Sequence, residues 1–214
     1  AIAAQACLPI LRLGLPAYDG FKGIVVHPDI VVARREVMDE DGIVHHYDEE
    51  LAGEAMEGGP VMLSWRDVAE AGDSAAWGYN VVVHEFAHVL DMRDGLADGV
   101  PLLVDRAARE RWLAVLEPQW QAFCDRVDAG EDTLIDPYGA EAIDEFFAVA
   151  SEVFFVDAPA LRGEHVGLHR VPHVGEVALL GSVAVARELL VAMQRQQDLV
   201  EGHVRALPRA ATVK

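Results

Sequence analysis

The segment Val81–Asp91 reads Val-Val-Val-His-Glu-Phe-Ala-His-Val-Leu-Asp, and it constrains the chain more than any other stretch. Its apolar residues fall on all sides of a helix, so that helix belongs at the centre of a domain. His84 and His88 are four apart and lie one above the other on one helix face. Two imidazole nitrogens so placed can bind one metal ion, and Glu85, one step round, reaches a water beside it. A Lewis acid next to a carboxylate base is what zinc-assisted hydrolysis requires. Asn80 precedes the run as an N-cap, and Asp94-Gly95 ends it.

A catalytic zinc site uses three protein ligands, so two histidines need a partner. Asp91 is nearest in sequence. A straight helix, however, spreads His84, His88 and Asp91 along a line of roughly 10 Å. An ion with bonds of about 2 Å does not easily touch all three. Asp91 therefore reads as a supporting polar group behind the ligands. The third ligand is expected from a second apolar helix, Glu141–Phe155, which carries Glu145 and Glu152 seven residues apart on similar faces. A carboxylate in so apolar a setting needs a partner, and a metal would be one. Periodicity alone does not choose between Glu145 and Glu152. Tyr138 stands just before this helix, with its hydroxyl in reach of the same site.

The rest of the chain supplies a frame. Ala1–Leu13 is a helix candidate. Gly23–His27, Ile30–Val37, Ile43–Tyr47 and Pro60–Trp65 read as strands, with a turn at Asp39–Gly42. Pro60–Trp65 is the strand expected to offer an edge to a substrate backbone. Gly53–Gly59 is a glycine-rich loop without the residues of a phosphate cradle. Arg66–Ala71 is a short helix. Leu103–Gly130 is a long amphipathic stretch with Trp112, Leu116, Trp120 and Phe123 on its apolar face, and Pro118 is expected to kink or break it. His45-His46 alternate across a strand and do not chelate one ion.

The net charge of −19 over 214 residues argues against nucleic acid and anionic membranes as partners. No apolar run is long enough to span a bilayer. Cys7 and Cys124 form no CxxC and read as buried thiols of a reducing, cytoplasmic setting. After Phe155 the composition changes. Residues 157–214 hold no Phe, Trp or Tyr and carry 7 basic and 6 acidic residues, against 10 and 30 in residues 1–156. This tail contains a candidate helix, Val177–Val200, and three histidines spaced by four, His165, His169 and His173.

Three segments carry a resemblance. They are His84-Glu85-Phe86-Ala87-His88 with Leu90-Asp91-Met92, then Tyr138-Gly139-Ala140, then Glu145-Phe146-Phe147-Ala148-Val149 with Ser151-Glu152. Together with Gly59-Pro60-Val61-Met62-Leu63-Ser64-Trp65 they resemble the Mlc titration factor A family of zinc peptidases. The catalytic segment is also similar to that of anthrax lethal factor. The resemblance covers about residues 1–156 and implies a gluzincin-like site, with zinc on His84, His88 and Glu145. It implies Glu85 as general base and Tyr138 as a hydrogen-bond donor in the transition state. It leaves Asp91 and Glu152 as supporting groups.

The activity so implied is aminopeptidase-like hydrolysis of a peptide substrate, and the implied partner is a Mlc-like transcriptional repressor. Met56 departs from the pattern, standing where a Trp is expected, and so does the aromatic-free tail. Ala1 in place of Met agrees with a missing N-terminal portion. The alternative is a repressor-binding protein whose zinc site is structural or vestigial. The expected fold is α+β and zincin-like, mainly helical, with a small sheet on the motif helix. The expected organisation is a metallopeptidase domain over 1–156 and a distinct, partly helical segment over 157–214.

Overall fold

The computed structural model describes residues 1–39, 41–74 and 78–164. The tail histidines and the candidate helix Val177–Val200 lie outside the described residues. Within them the order is α1 (Ile2–Ala6), a 3-10 turn (Leu15–Tyr18), β1 (Ile24–His27), β2 (Val31–Met38), β3 (Val44–Leu51), β4 (Gly53–Ala55) and β5 (Val61–Ser64). There follow α2 (Trp65–Ser74), α3 (Val81–Asp91), α4 (Arg106–Asp128) and α5 (Ile143–Glu164). The fold is α+β and mainly helical, as the sequence predicts.

The motif helix α3 sits between two apolar layers. On one side Val81, Val82 and Phe86 pack with Val61 and Leu63 of β5 and Val68 of α2. On the other, Ala87 joins Phe146, Phe147 and Val153 of α5 and Trp112, Leu116 and Phe123 of α4. Phe86, Phe123 and Phe146 are all but inaccessible, and each such burial contributes about 2–3 kcal/mol. Two indole N–H groups of α4 reach outward from this core. Trp112 donates to the Gly99 carbonyl (2.9 Å) and Trp120 to the Gly139 carbonyl (3.2 Å), fixing the two loops that flank the α3–α5 seam.

Sheet order is β1-β5-β4, with β1 parallel and β4 antiparallel to β5. This corrects two expectations. Pro60–Trp65 supplies a central strand whose two edges are both occupied. The glycine-rich loop instead contributes the edge strand, because Gly53-Glu54-Ala55 runs extended and pairs with Leu63, Met62 and Val61. Gly53, with no side chain, lets the backbone lie close to Glu85 of α3. β2 and β3 form a separate hairpin in register Val31↔Leu51 to Met38↔Val44, closed by Asp39, whose carboxylate accepts from the Asp41 and Ile43 N–H groups. Strand β3 extends past Tyr47 because Asp48–Leu51 continue the ladder. His45 and His46 are exposed and pair with Asp39 and Glu36.

Other boundaries also move. Helix α1 stops at Ala6 rather than Leu13, since Pro9 cannot donate to a continuing helix. Cys7 at its end is exposed, not buried, and Cys124 is half-buried. Helix α4 runs through Pro118 as one element of 23 residues, its packed aromatics on both sides of the proline outweighing one lost backbone bond. Helix α5 continues past Phe155 and kinks at Asp157 (φ −141°, ψ 65°), whose carboxylate caps the Ala160 N–H ahead of buried Leu161. Among the described residues, no helix is long and apolar enough to cross a membrane.

Candidate metal centre

Asn80 caps α3 by accepting from the Val83 N–H (3.0 Å), and the helix then carries His84 and His88 toward the first turn of α5. There Glu145 meets them. His84 Nε2 and His88 Nε2 are 3.2 Å apart, and Glu145 Oε2 is 3.2 Å from the first and 3.4 Å from the second. A tetrahedral ion with bonds of about 2.0–2.1 Å has ligand atoms about 3.3–3.4 Å apart. The three donors therefore have the spacing of three corners of such a tetrahedron. Glu145 Oε2 is buried and accepts no hydrogen bond of good geometry, so it has acceptor capacity left for a cation. Of the two carboxylates that the sequence offers as third ligand, Glu145 is the one that joins both histidines.

The electrostatics point the same way. Burial works against a charged His84, but Glu145 and Glu152 on its two edges outweigh it and raise the imidazole to about 10. Burial by itself would raise Glu145, yet His84 and His88 hold it down to about 2. The cluster has surplus carboxylate charge that a cation neutralises.

Glu85 lies one step round α3 from His84, with its carboxylate against Gly53 and Ala55 of β4. It is 5% exposed, and burial pushes it up to about 7, with His84, His88 and a hydrogen bond from the Ala55 N–H pulling less strongly downward. Tyr138 sits in a 3-10 turn, Pro137–Ala140, whose start is capped by Asp136 (Oδ1 accepts from the Tyr138 N–H, 2.9 Å). Its ring centre is 6.2 Å from that of His84. Partial burial, then Glu145, Glu141 and Glu49, raise the phenol well above its ordinary value, so the hydroxyl remains a donor. His84, Glu85 and Tyr138 open onto one cleft of about 310 Å³.

The two remaining carboxylates have different surroundings. Glu152 is 2% exposed; its Oε1 lies 2.8 Å from His84 Nδ1, and its other oxygen accepts the Asn80 N–H. Asp91 is fully buried and accepts from the Val100 N–H (2.7 Å), tying the loop after α3 to the helix end. It lies outside the His84–His88–Glu145 group and instead neighbours His88 and Asp144. Burial raises Asp91 to about 6. Sequence reasoning missed Gly53 and Ala55, which flank Glu85, and the acidic cleft wall of Glu49, Glu50 and Asp136. Asp136 adjoins Tyr138 as the cap of its turn, while Glu49, Glu50, Gly53 and Ala55 come from segments distant in sequence that no local pattern marks.

The sequence pattern of the glucose-regulated metallo-peptidase M90 family matches residues 1–171. The chain belongs to that family. Among its relatives are Mlc titration factor A of Cronobacter sakazakii, 39% identical over 163 residues, and of Klebsiella pneumoniae, 40% identical over 163 residues. Each alignment covers 75% of this chain and 60% of the relative. An uncharacterized protein of Synechocystis is 38% identical over 173 residues, covering 79% of this chain and 62% of that one. The M90 chain thus spans about three fifths of the length of the curated relatives it matches. The match runs through α3, the Tyr138 turn and α5, so every residue of the cluster lies within the region that resembles the M90 metallopeptidases.

Proposed function

We propose that this M90 chain carries the catalytic unit of a zinc-dependent, aminopeptidase-like peptidase, with His84, His88 and Glu145 holding the metal. The observation that carries this is the triangle of three donor atoms 3.2–3.4 Å on a side, with Glu85 and Tyr138 lining the cleft onto which its member His84 opens. Zinc bound there supplies a Lewis acid that acidifies water and polarises the substrate carbonyl.

The side chains supply the rest. Glu85, held near neutral pKa by burial, accepts a proton from the attacking water and passes it to the leaving amine. The Tyr138 hydroxyl donates to the oxyanion that develops at the scissile carbonyl. The outer edge of β4, which pairs with no further strand among the described residues, is the surface on which a substrate backbone pairs, in place of β5. The cleft wall of Glu49, Glu50 and Asp136 suits a substrate with a cationic amino terminus. A structural zinc site has no use for a base, so buried Glu85 on an open cleft favours hydrolysis over a vestigial site.

We assign the metallopeptidase domain to residues 1–156 and treat 157–214 as a distinct segment. All the proposed ligands and catalytic groups precede the kink at Asp157. The relatives' name, Mlc titration factor A, supports a Mlc-like repressor as a second partner, which implies a cytoplasmic site of action. The test is metal analysis and peptide turnover of the purified chain and its Glu85→Gln variant. One equivalent of zinc in both, with turnover only in the parent, supports the reading. Equal turnover overturns the role of Glu85, and a metal-free parent overturns the centre.

A further inference from the structure

We propose that Glu152 is a positioning residue that locks His84 in its metal-binding tautomer and, with the same carboxylate, fixes the register of α3 against α5. The inference rests on the reading that His84, His88 and Glu145 hold the metal.

Glu145 and Glu152 are two helical turns apart on α5 and bracket a single imidazole. Glu145 Oε2 lies 3.2 Å from His84 Nε2, and Glu152 Oε1 lies 2.8 Å from His84 Nδ1. A carboxylate at 2.8 Å accepts a hydrogen bond, so the Nδ1 side must carry the proton. The opposite tautomer would set a lone pair against a buried anion. With Nδ1 protonated, the Nε2 lone pair is directed at the His88–Glu145 cluster, the orientation a ligand needs.

The second oxygen of Glu152 is also in use. It accepts the N–H of Asn80, one of the unpaired donors at the start of α3, where the helix end favours an anion. Asn80 itself satisfies Val83 with its side chain, so the first turn of α3 is closed by one residue from within and one from α5. One carboxylate thus holds both the cap residue of α3 and His84, four positions further on, from a single point on α5. A displacement of either helix along the other breaks one of the two bonds. Both helices contribute metal ligands, so this clamp sets the spacing between the histidines and Glu145.

Replacing Glu152 by Gln separates this role from mere filling of space. Glutamine offers one acceptor and one donor to two positions that both require an acceptor. With its oxygen at His84, its amide group opposes the Asn80 N–H. With its oxygen at Asn80, it donates to Nδ1 and forces the proton onto Nε2, where it blocks the metal. Glu152→Gln is therefore expected to weaken zinc binding by roughly 10–100-fold, measured by chelator competition. Circular dichroism and thermal unfolding of the zinc-free proteins establish that the variant is folded.

A second measurement needs no variant. In zinc-loaded parent with ¹⁵N-labelled histidine, His84 is expected to show a slowly exchanging proton on Nδ1. Zinc affinity within about twofold of the parent in a folded variant, or a parent His84 with no such proton, overturns the role of Glu152 alone. A parent that binds no zinc overturns the metal centre and this inference together. If the variant does not fold, the Nδ1 proton of the parent decides.

Discussion

The Glu85 carboxylate rests against the backbone of Gly53: a β-carbon built on Gly53 would lie 2.4 Å from Glu85 Oε1. No side chain fits there without moving the carboxylate. Gly53→Ala is therefore expected to displace the base while leaving the metal donors on α3 and α5 in place. A displaced base costs on the order of 10²-fold in kcat. Zinc content is expected to match the parent. Unchanged kcat in the alanine variant would show that Glu85 need not occupy this position.

Glu145 and Asp91 are distinguished by metal content. Glu145→Ala removes one of three converging donors. Its loss of zinc affinity is expected to exceed the roughly 10–100-fold typical of a supporting residue. Asp91→Asn leaves that triangle intact and is expected to keep one zinc per chain. Full zinc in Glu145→Ala, read by metal analysis after dialysis, would move the third ligand elsewhere.

Tyr138 is expected to act on turnover and not on metal binding. Tyr138→Phe removes a protonated hydroxyl beside Glu145 and His84 without removing the ring. The expected loss is about 10²–10³ in kcat, with KM and zinc content near those of the parent. An equal loss in metal affinity would instead make the hydroxyl part of the metal's support.

Asp91 gives a pH dependence with a definite sign. Burial raises its carboxyl from the ordinary 3.8 to about 6 in the folded chain. A raised folded value means that the folded state binds the proton more tightly than the unfolded state. The resulting stability is complete below about pH 4 and is lost as pH rises through about 6. Asp91→Asn does not titrate. Relative to the parent it should gain stability between about pH 4 and pH 7, by at most about 3 kcal/mol. Urea unfolding of chelator-treated proteins measures this, and a difference that stays flat across that range would show that Asp91 is ionised throughout.

Much of the centre was legible in local spacing. Residues four apart on a helix share a face wherever the helix lies, so His84 and His88 had to converge. Asn80 was readable as the cap because capping is decided within four residues. The apolar girdle of α3 and the helically spaced Trp112, Leu116, Trp120 and Phe123 on α4 likewise announced the core, where Trp112, Leu116 and Phe123 are buried and Trp120 is partly buried against them.

Tertiary structure decided which partner each group meets. Glu145 and Glu152 share one face of one helix, so helical periodicity treats them alike. Only the seating of α5 beside α3 puts Glu145 at Nε2 of His84 and Glu152 at Nδ1. Strand order was equally hidden. Val61–Ser64 reads as a strand in any position, and pairing with both β1 and β4 through non-local backbone bonds makes it central. That pairing also draws Gly53 against Glu85, a contact between residues 32 positions apart. Turns, caps and faces are short-range properties that a sequence carries openly. Which carboxylate faces which edge of a ring depends on how separate elements dock, and that is settled by the shared core they bury together.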